Sequence, residues 1–292
     1  MFHGSMVALV TPFTLSGDID FDHLEHLIEW QIEEGTDALV ICGTTGESPT
    51  LSEEEQELIL QKAVKMTRKR VPVIMGTGTY DTRHSVKKTQ KAKELGADGC
   101  LVIVPYYNRP TPEGCYLHFE SVASVGLPVI IYHHPGRTGV HLSAKNLAQI
   151  AKIPHIVAIK EASGSLNLIK ELASLSSIPL LSGDDLLTLP MMELGALGVI
   201  SVIANLIPRQ WKEFVSTLEK KDFIKGRELH EKYQPLCEAI FSEINPQGIK
   251  YALSLIGKCS SRLRLPLIEP KFENQTRIKE EVSKLLALEV KA

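Results

Sequence analysis

The chain has 292 residues, of which 43% are hydrophobic and 23% charged, a composition typical of a globular fold and not of a disordered or fibrous one. The 32 basic and 35 acidic residues give a formal net charge of −3, which offers no basic surface for nucleic acid or an anionic membrane. Its apolar runs are far shorter than the roughly 20 residues of a membrane-spanning helix, and its five cysteines lie apart in the sequence, as reduced residues do. We therefore predict a cytoplasmic protein without nucleic-acid or membrane partners.

Eight short apolar runs recur along the chain, each followed by a longer amphipathic stretch. The runs cover residues 6–10, 38–41, 72–75, 101–104, 128–132, 156–160, 179–181 and 199–202. Because apolar and polar residues do not alternate within them, they indicate strands covered on both faces, as in a parallel sheet. Eight strands with room for a helix after each predict an α/β fold, the (β/α)8 TIM barrel. The alternative is an open doubly wound sheet, but the first run lacks the glycine fingerprint that follows such a strand.

The stretches between the runs carry signals for helix starts. Ser52 is followed three residues later by Glu55, which is the pattern of a capping box. Pro112 stands at a first helical position, where its missing N–H costs nothing. Asp185 precedes an apolar stretch that predicts a helix over residues 186–194. A crossover helix is thus expected between consecutive strands.

The chain beyond the eighth strand and its helix shows no further strand pattern. Helical patterns there cover roughly residues 223–242, 246–258 and 275–290. We therefore predict a barrel over residues 1–222 and a C-terminal helical domain over residues 223–292 that packs on it.

Functional residues of such a barrel gather at the C-terminal ends of its strands. Lys160 is the most unusual residue at these positions, because it ends an otherwise apolar run. Burial would lower the pKa of its amine, and a neutral amine can attack a ketone to form a Schiff base. The alternative is a structural ion pair between Lys160 and either Glu161 or Asp184. The spacing alone leaves both interpretations open.

Other polar residues follow the second and fifth runs. Thr44 and Thr45 stand between two glycines, where hydroxyl and backbone N–H groups suit a small carboxylate, although a plain turn explains them equally well. Tyr132 could transfer protons through its phenol or be a hydrogen-bonded core residue. Arg137 lies between two glycines, where its guanidinium could bind a carboxylate with two hydrogen bonds or be solvated.

The sequence gives little support for a metal site or for a serine nucleophile. His133 and His134 are adjacent and have no third ligand at a suitable spacing. No serine has the flanking glycines of a hydrolase nucleophile, and the Thr44 loop lacks the lysine of a phosphate-binding loop. We predict neither a metal nor a cofactor.

Five motifs stand in order at the predicted strand ends: GTTGES, PYYNRP, YxxPxRTG, IKEASG and SGDD. Together they resemble the pyruvate-dependent class I lyases, and within them the dihydrodipicolinate synthase family. The resemblance runs from residue 4 through the eighth strand and persists in the tail at Asn245-Pro246. It implies a TIM-barrel enzyme that condenses pyruvate with L-aspartate-4-semialdehyde to 4-hydroxy-tetrahydrodipicolinate, in lysine and diaminopimelate biosynthesis.

The resemblance implies catalytic roles for four residues. Lys160 would form the imine with pyruvate, without any cofactor. Tyr132 would be the acid/base, linked through Thr44 to Tyr107. In this family that last tyrosine reaches across a dimer interface into the neighbouring site, and members are usually homotetramers built from two dimers.

The resemblance also implies substrate-binding roles. Thr45 and the adjacent backbone would hold the carboxylate of pyruvate, and Arg137 would hold that of the semialdehyde. Gly183 and Ile200 would supply backbone groups near the lysine.

Two of the chain's departures from the family pattern bear on its function. His133-His134-Pro135-Gly136 stands where relatives often carry Asn-Val-Pro-Ser, which bears on the geometry of the second substrate. The residues that differ from those of lysine-inhibited members are Glu53, Gln56, Tyr80 and His84. Weak or absent feedback inhibition by lysine is therefore expected.

Two other functions are compatible with the barrel. One is a pyruvate-dependent lyase of sialic acid or a sugar-derived 2-keto acid, whose members usually lack the arginine found at Arg137. The other is a catalytically silent barrel with a binding role, in which Lys160 would be inessential.

Overall fold

The computed structural model describes residues 2–289, and the side chains of residues 2–285. The described residues form eight parallel strands in one closed barrel, in which each strand pairs with the next and the last pairs with the first. The strands are β1 (Gly4–Ala8), β2 (Ala38–Ile41), β3 (Val73–Gly76), β4 (Gly99–Ile103), β5 (Val129–His133), β6 (Ile156–Glu161), β7 (Leu180–Ser182) and β8 (Gly198–Ser201). The predicted barrel is confirmed, and the open sheet is wrong.

Twelve α-helices within the described residues connect and cover the strands. They are α1 (Phe21–Glu33), α2 (Glu53–Thr67), α3 (Thr82–Glu94), α4 (Pro112–Ala123), α5 (Pro135–Thr138), α6 (Ala144–Ile150), α7 (Leu166–Leu175), α8 (Thr188–Glu193), α9 (Pro208–Glu219), α10 (Phe223–Ile240), α11 (Gln247–Leu255) and α12 (Phe272–Glu289). The predicted capping box forms at α2, where Ser52 Oγ accepts from Glu55 N at 3.1 Å and Glu55 Oε2 accepts from Ser52 N at 2.9 Å. No helix in the described part of the chain has the length and apolarity that a membrane crossing requires.

One predicted helix boundary is wrong. The helix expected over residues 186–194 begins only at Thr188, and Asp185 does not cap it. The Asp185 carboxylate turns instead to the end of β8, where Oδ2 accepts from the backbone N–H groups of Val202 and Ile203, each at 2.9 Å. A tertiary contact has replaced the local cap, and sequence spacing cannot show this.

The helices predicted after residue 222 are confirmed as α10, α11 and α12. They pack against one another, and α10 also packs against α8 and α9. The division of the chain into a barrel over residues 1–222 and a helical domain over residues 223–292 remains our proposal.

The barrel interior is separate from the layer between strands and helices. Alternate residues of each strand fill the interior, including Ile130 on β5 and Ala158 on β6. Their neighbours Ile131 and Ile159 pack outwards against the helices. Two residues further along each strand, Tyr132 and Lys160 therefore point into the barrel at its C-terminal end. This alternation positions the site.

Candidate active site

A cavity of about 390 Å³ lies at the C-terminal end of the barrel, where the strand-to-helix loops meet. Six of the eight candidate residues line it: Lys160, Tyr132, Thr44, Thr45, Arg137 and Gly183. Ile200 does not line the cavity but lies buried in the barrel interior. Tyr107 does not line it either, since its side chain is 88% exposed on the loop after β4. One chain therefore brings most of the predicted site together, without Tyr107.

Lys160 is buried in the cavity, and none of the described carboxylates pairs with it. Its side chain is 5% exposed, and burial lowers its pKa from 10.5 to about 7, with Arg137 acting in the same direction and Asp185 against it. Among the residues that the structure describes, no carboxylate forms an ion pair with Lys160. Glu161 is paired with His133 instead, at 2.6 Å. The ion pair that the sequence left open does not form, so the amine can be neutral near neutral pH.

The aromatic ring of Tyr132 lies beside this amine. The two residues are directly paired across β5 and β6, and Lys160 Nζ lies 4.3 Å from the centroid of the tyrosine ring. Burial raises the pKa of Tyr132, while the charge of Arg137 and hydrogen bonding to Thr44 lower it. A protonated phenol with a hydroxyl neighbour therefore stands beside the amine, as proton transfer requires.

Asn245 contacts both residues that are candidates for carboxylate binding, although sequence reasoning gave it no role. Its Nδ2 donates to Thr45 Oγ1 at 2.9 Å, and Arg137 Nη2 donates to its backbone carbonyl oxygen at 3.3 Å. Asn245 lies between α10 and α11, 200 residues from Thr45 along the chain. No local pattern could have shown this contact, since it depends on how the C-terminal helices fold over the barrel.

Gly183 packs closely against the lysine, and this requires a glycine. A Cβ atom at this position would lie 2.7 Å from Ala162 Cβ and 3.0 Å from Lys160 Cε. The backbone N–H of Gly183 donates to the Glu161 carbonyl oxygen at 2.8 Å, which fixes the loop after β7 against β6. The stem of Lys160 is thus confined by backbone.

Sequence reasoning gave Asp185 the wrong role, that of a helix cap. Its side chain is buried, and burial raises its pKa to about 6. Through its bonds to Val202 and Ile203 it anchors the end of β8 beside the cavity. Within the described residues no group of three or more histidine, cysteine, aspartate or glutamate side chains could hold a metal ion.

Comparison with known proteins decides the family. Residues 1–285 match the model of the dihydrodipicolinate synthetase family. The chain belongs to this family. It is 48% identical to the 4-hydroxy-tetrahydrodipicolinate synthase of Syntrophus aciditrophicus (strain SB) over 282 residues, which cover 96% of this chain and 97% of the relative.

Solved structures of the family have the same fold. The crystal structure of dihydrodipicolinate synthase from Aquifex aeolicus matches with a TM-score of 0.95 and 45% identity, covering 97% of this chain and 98% of that one. The chloride-inhibited dihydrodipicolinate synthase from Acinetobacter baumannii, solved in complex with pyruvate, matches with a TM-score of 0.95 and 40% identity, at 97% and 98% coverage. The resemblance read from the five motifs is confirmed.

Proposed function

We propose that the chain is a 4-hydroxy-tetrahydrodipicolinate synthase, which condenses pyruvate with L-aspartate-4-semialdehyde in lysine and diaminopimelate biosynthesis. The observation that carries the proposal is Lys160, an amine buried at a strand end, which pairs with no carboxylate of the described residues and has a pKa of about 7. About half of this amine is neutral at pH 7, and the neutral form attacks the ketone carbon of pyruvate. Loss of water then gives an imine on Lys160.

The imine nitrogen is the electron sink of the reaction. When it is protonated, a base can remove a proton from the methyl group of the bound pyruvate, and the electron pair moves into an enamine. We assign this proton transfer to Tyr132, because the lysine lies over its ring and Thr44 contacts its hydroxyl. The enamine carbon attacks the aldehyde, and the new alkoxide takes its proton through the same hydroxyls. These steps need neither a metal nor a cofactor.

Ring closure releases the enzyme. The amino group of the former semialdehyde attacks the imine carbon, a carbon–nitrogen bond forms, and Lys160 leaves as a free amine. Thr45 and the neighbouring backbone hold the pyruvate carboxylate, and Arg137 binds the carboxylate of the second substrate. Gly183 and Ile200 supply the backbone that confines the lysine stem.

A partner subunit would complete the site. Tyr107 is exposed in the single chain and has a left-handed backbone, with φ 71°, that turns the loop after β4. In the proposed homotetramer, a dimer of dimers in the cytoplasm, Tyr107 enters the neighbouring cavity and continues the relay from Thr44.

This arrangement is tested by mixing the Lys160→Ala protein with the Tyr107→Phe protein. A dimer with one subunit of each kind regains one intact site, which combines the lysine of one subunit with the tyrosine of the other. Random exchange predicts about one active site in four, whereas a relay within one chain predicts no recovery.

The substrates distinguish this function from its alternatives. The purified enzyme is assayed with pyruvate and either aspartate-4-semialdehyde or N-acetylmannosamine, and we expect turnover with the semialdehyde. Turnover with N-acetylmannosamine alone would favour a sugar-acid lyase. A wild-type protein inactive with both substrates would favour the silent barrel. Lys160→Ala should remove most activity while the protein stays folded, and wild-type turnover in that variant would overturn the proposal.

A further inference from the structure

His133 and Glu161 form a buried pair directly behind the proposed catalytic residues. In the register of β5 and β6, Tyr132 pairs with Lys160 and the next residues, His133 and Glu161, pair with each other. Their side chains point to the opposite face of the sheet and are 1% and 2% exposed. His133 Nδ1 and Glu161 Oε2 are 2.6 Å apart. No step of the mechanism above uses either residue.

The neighbours of the pair fix the position of its proton. The backbone N–H of Leu142 donates to His133 Nε2 at 3.2 Å, so this nitrogen must carry a lone pair. The proton of the neutral ring is therefore on Nδ1, and Nδ1 donates it to Glu161. The other oxygen of Glu161, Oε1, accepts from the backbone N–H of Ser163 at 2.5 Å. Every polar side-chain atom of the pair is thus engaged: Leu142 donates to His133, and His133 and Ser163 both donate to Glu161.

This chain of hydrogen bonds ties together two loops that line the cavity. His133 precedes the loop that carries Arg137, and Glu161 precedes the loop that carries Ser163. Backbone bonds reinforce the junction, since the N–H of Ala162 donates to the His133 carbonyl oxygen at 2.9 Å. A shift of either strand end would move the lysine relative to the tyrosine ring, because each catalytic residue is bonded directly to a member of the pair.

We propose that His133 and Glu161 are positioning residues, which lock the ends of β5 and β6 so that Lys160 stays desolvated over Tyr132. The proposal rests on the proposed function for its catalytic consequence. The burial of the Lys160 amine, which the pair is proposed to maintain, can be measured without a substrate. A displacement of about 1 Å in a reacting group can lower turnover by about a hundredfold. The pair therefore affects turnover even if it prevents only a smaller displacement of the lysine.

Glu161→Gln tests the lock with almost no change in volume. An amide at this position has one oxygen and one NH2 group. If its oxygen accepts from Ser163, its NH2 group faces His133 Nδ1 and forces the imidazole proton onto Nε2, against the N–H of Leu142. If the amide turns over, its NH2 group faces the N–H of Ser163 instead. Either way one hydrogen bond of the chain is lost while the packing stays.

Two variants of His133 serve as a disruptive and a conservative comparison for Glu161→Gln. His133→Leu removes both hydrogen bonds and keeps a similar apolar volume. His133→Asn places an amide NH2 near the position of Nδ1, so it keeps the bond to Glu161 and should act as the conservative rescue. We expect Glu161→Gln and His133→Leu to lower kcat about tenfold or more, with a smaller change in the KM for pyruvate, and His133→Asn to stay within about threefold of wild type.

The experiment is completed by labelling that needs no substrate. Wild type and the three variants are treated with acetic anhydride from pH 6 to pH 10, and the labelling of Lys160 is read by mass spectrometry after digestion. Exposed Lys145 on α6 is the internal reference in each digest. We expect half-maximal labelling of Lys160 near pH 7 in wild type. In Glu161→Gln and His133→Leu we expect it at higher pH than in wild type.

The two proposals fail in different ways. If folded Glu161→Gln and His133→Leu keep both the labelling profile and the kcat of wild type, the positioning role is overturned, whatever happens to their thermal stability. If wild type turns over neither substrate pair but the labelling profile still shifts in the variants, the positioning role stands and the proposed function is wrong.

Discussion

Replacement of Lys160 by methionine should stabilise the protein at neutral pH, although it removes the proposed nucleophile. The folded pKa of Lys160, about 7, lies below the 10.5 of a free lysine because burial penalises the ammonium. Between these two values the unfolded chain binds more protons at this residue than the folded chain does. The contribution of Lys160 to stability is therefore most unfavourable at and below pH 7, and the penalty disappears as the pH rises through 10.5.

The size of the effect follows from proton linkage. A lysine with these two pKa values destabilises the folded state by about 4 kcal/mol at pH 7 and by about 2 kcal/mol at pH 9. Methionine keeps the apolar stem without the charge but loses the contact of the ammonium with the Tyr132 ring, worth about 1–2 kcal/mol. Lys160→Met should therefore raise the free energy of unfolding by about 2–3 kcal/mol at pH 7, and its advantage should be about 2 kcal/mol smaller at pH 9.

Urea denaturation at pH 7 and pH 9 measures both numbers. Lys145→Met is the matched control, because Lys145 is exposed on α6 and its replacement should have little effect at either pH. A Lys160→Met protein that is less stable than wild type by the same amount at both pH values would refute the reasoning. Such a result would mean that the lysine keeps its proton in the folded protein.

Three further results are expected from the contacts around the site. Lys250→Met should lower the free energy of unfolding in urea by about 3–5 kcal/mol, because it leaves the buried carboxylate of Glu47 without its partner at 2.7 Å. The double variant with Glu47→Gln should recover most of the loss, and equal stability of the single variant and wild type would contradict us. Gly183→Ala should lower kcat about tenfold or more in steady-state assays, because the new Cβ would lie 3.0 Å from Lys160 Cε, and unchanged kinetics would show that the stem has room. Micromolar L-lysine should leave the rate unchanged, because the carboxylate of Glu53 is already bound to Lys87 at 2.9 Å, whereas strong inhibition would mean that an effector site survives.

The fold and the core of the site could be predicted from the sequence because both depend on local patterns. Continuous apolar runs mark the strands, and a lysine at the end of one of them stands out. The alternating direction of side chains along β5 and β6 then places Tyr132 and Lys160 on the same inner face, where both line the cavity. For these residues, position in a strand was enough to predict position in the barrel.

The remaining parts of the site depend on tertiary contacts that leave no local pattern. Asn245 reaches Thr45 from a distant segment, and Asp185 binds the end of β8 instead of capping the helix after it. His133 and Glu161 meet only because of the register between two parallel strands, which no local pattern of the sequence shows. Each of these residues is polar, and a local role explains its presence equally well. The sequence alone therefore indicated either a wrong role for it or no role.

The central claim is tested most directly by reductive trapping of the imine. The enzyme is incubated with pyruvate and sodium borohydride, digested and analysed by mass spectrometry. We predict one dominant adduct, on Lys160, which is absent in Lys160→Arg and absent without pyruvate. No adduct, or adducts spread over exposed lysines such as Lys145, would contradict the account.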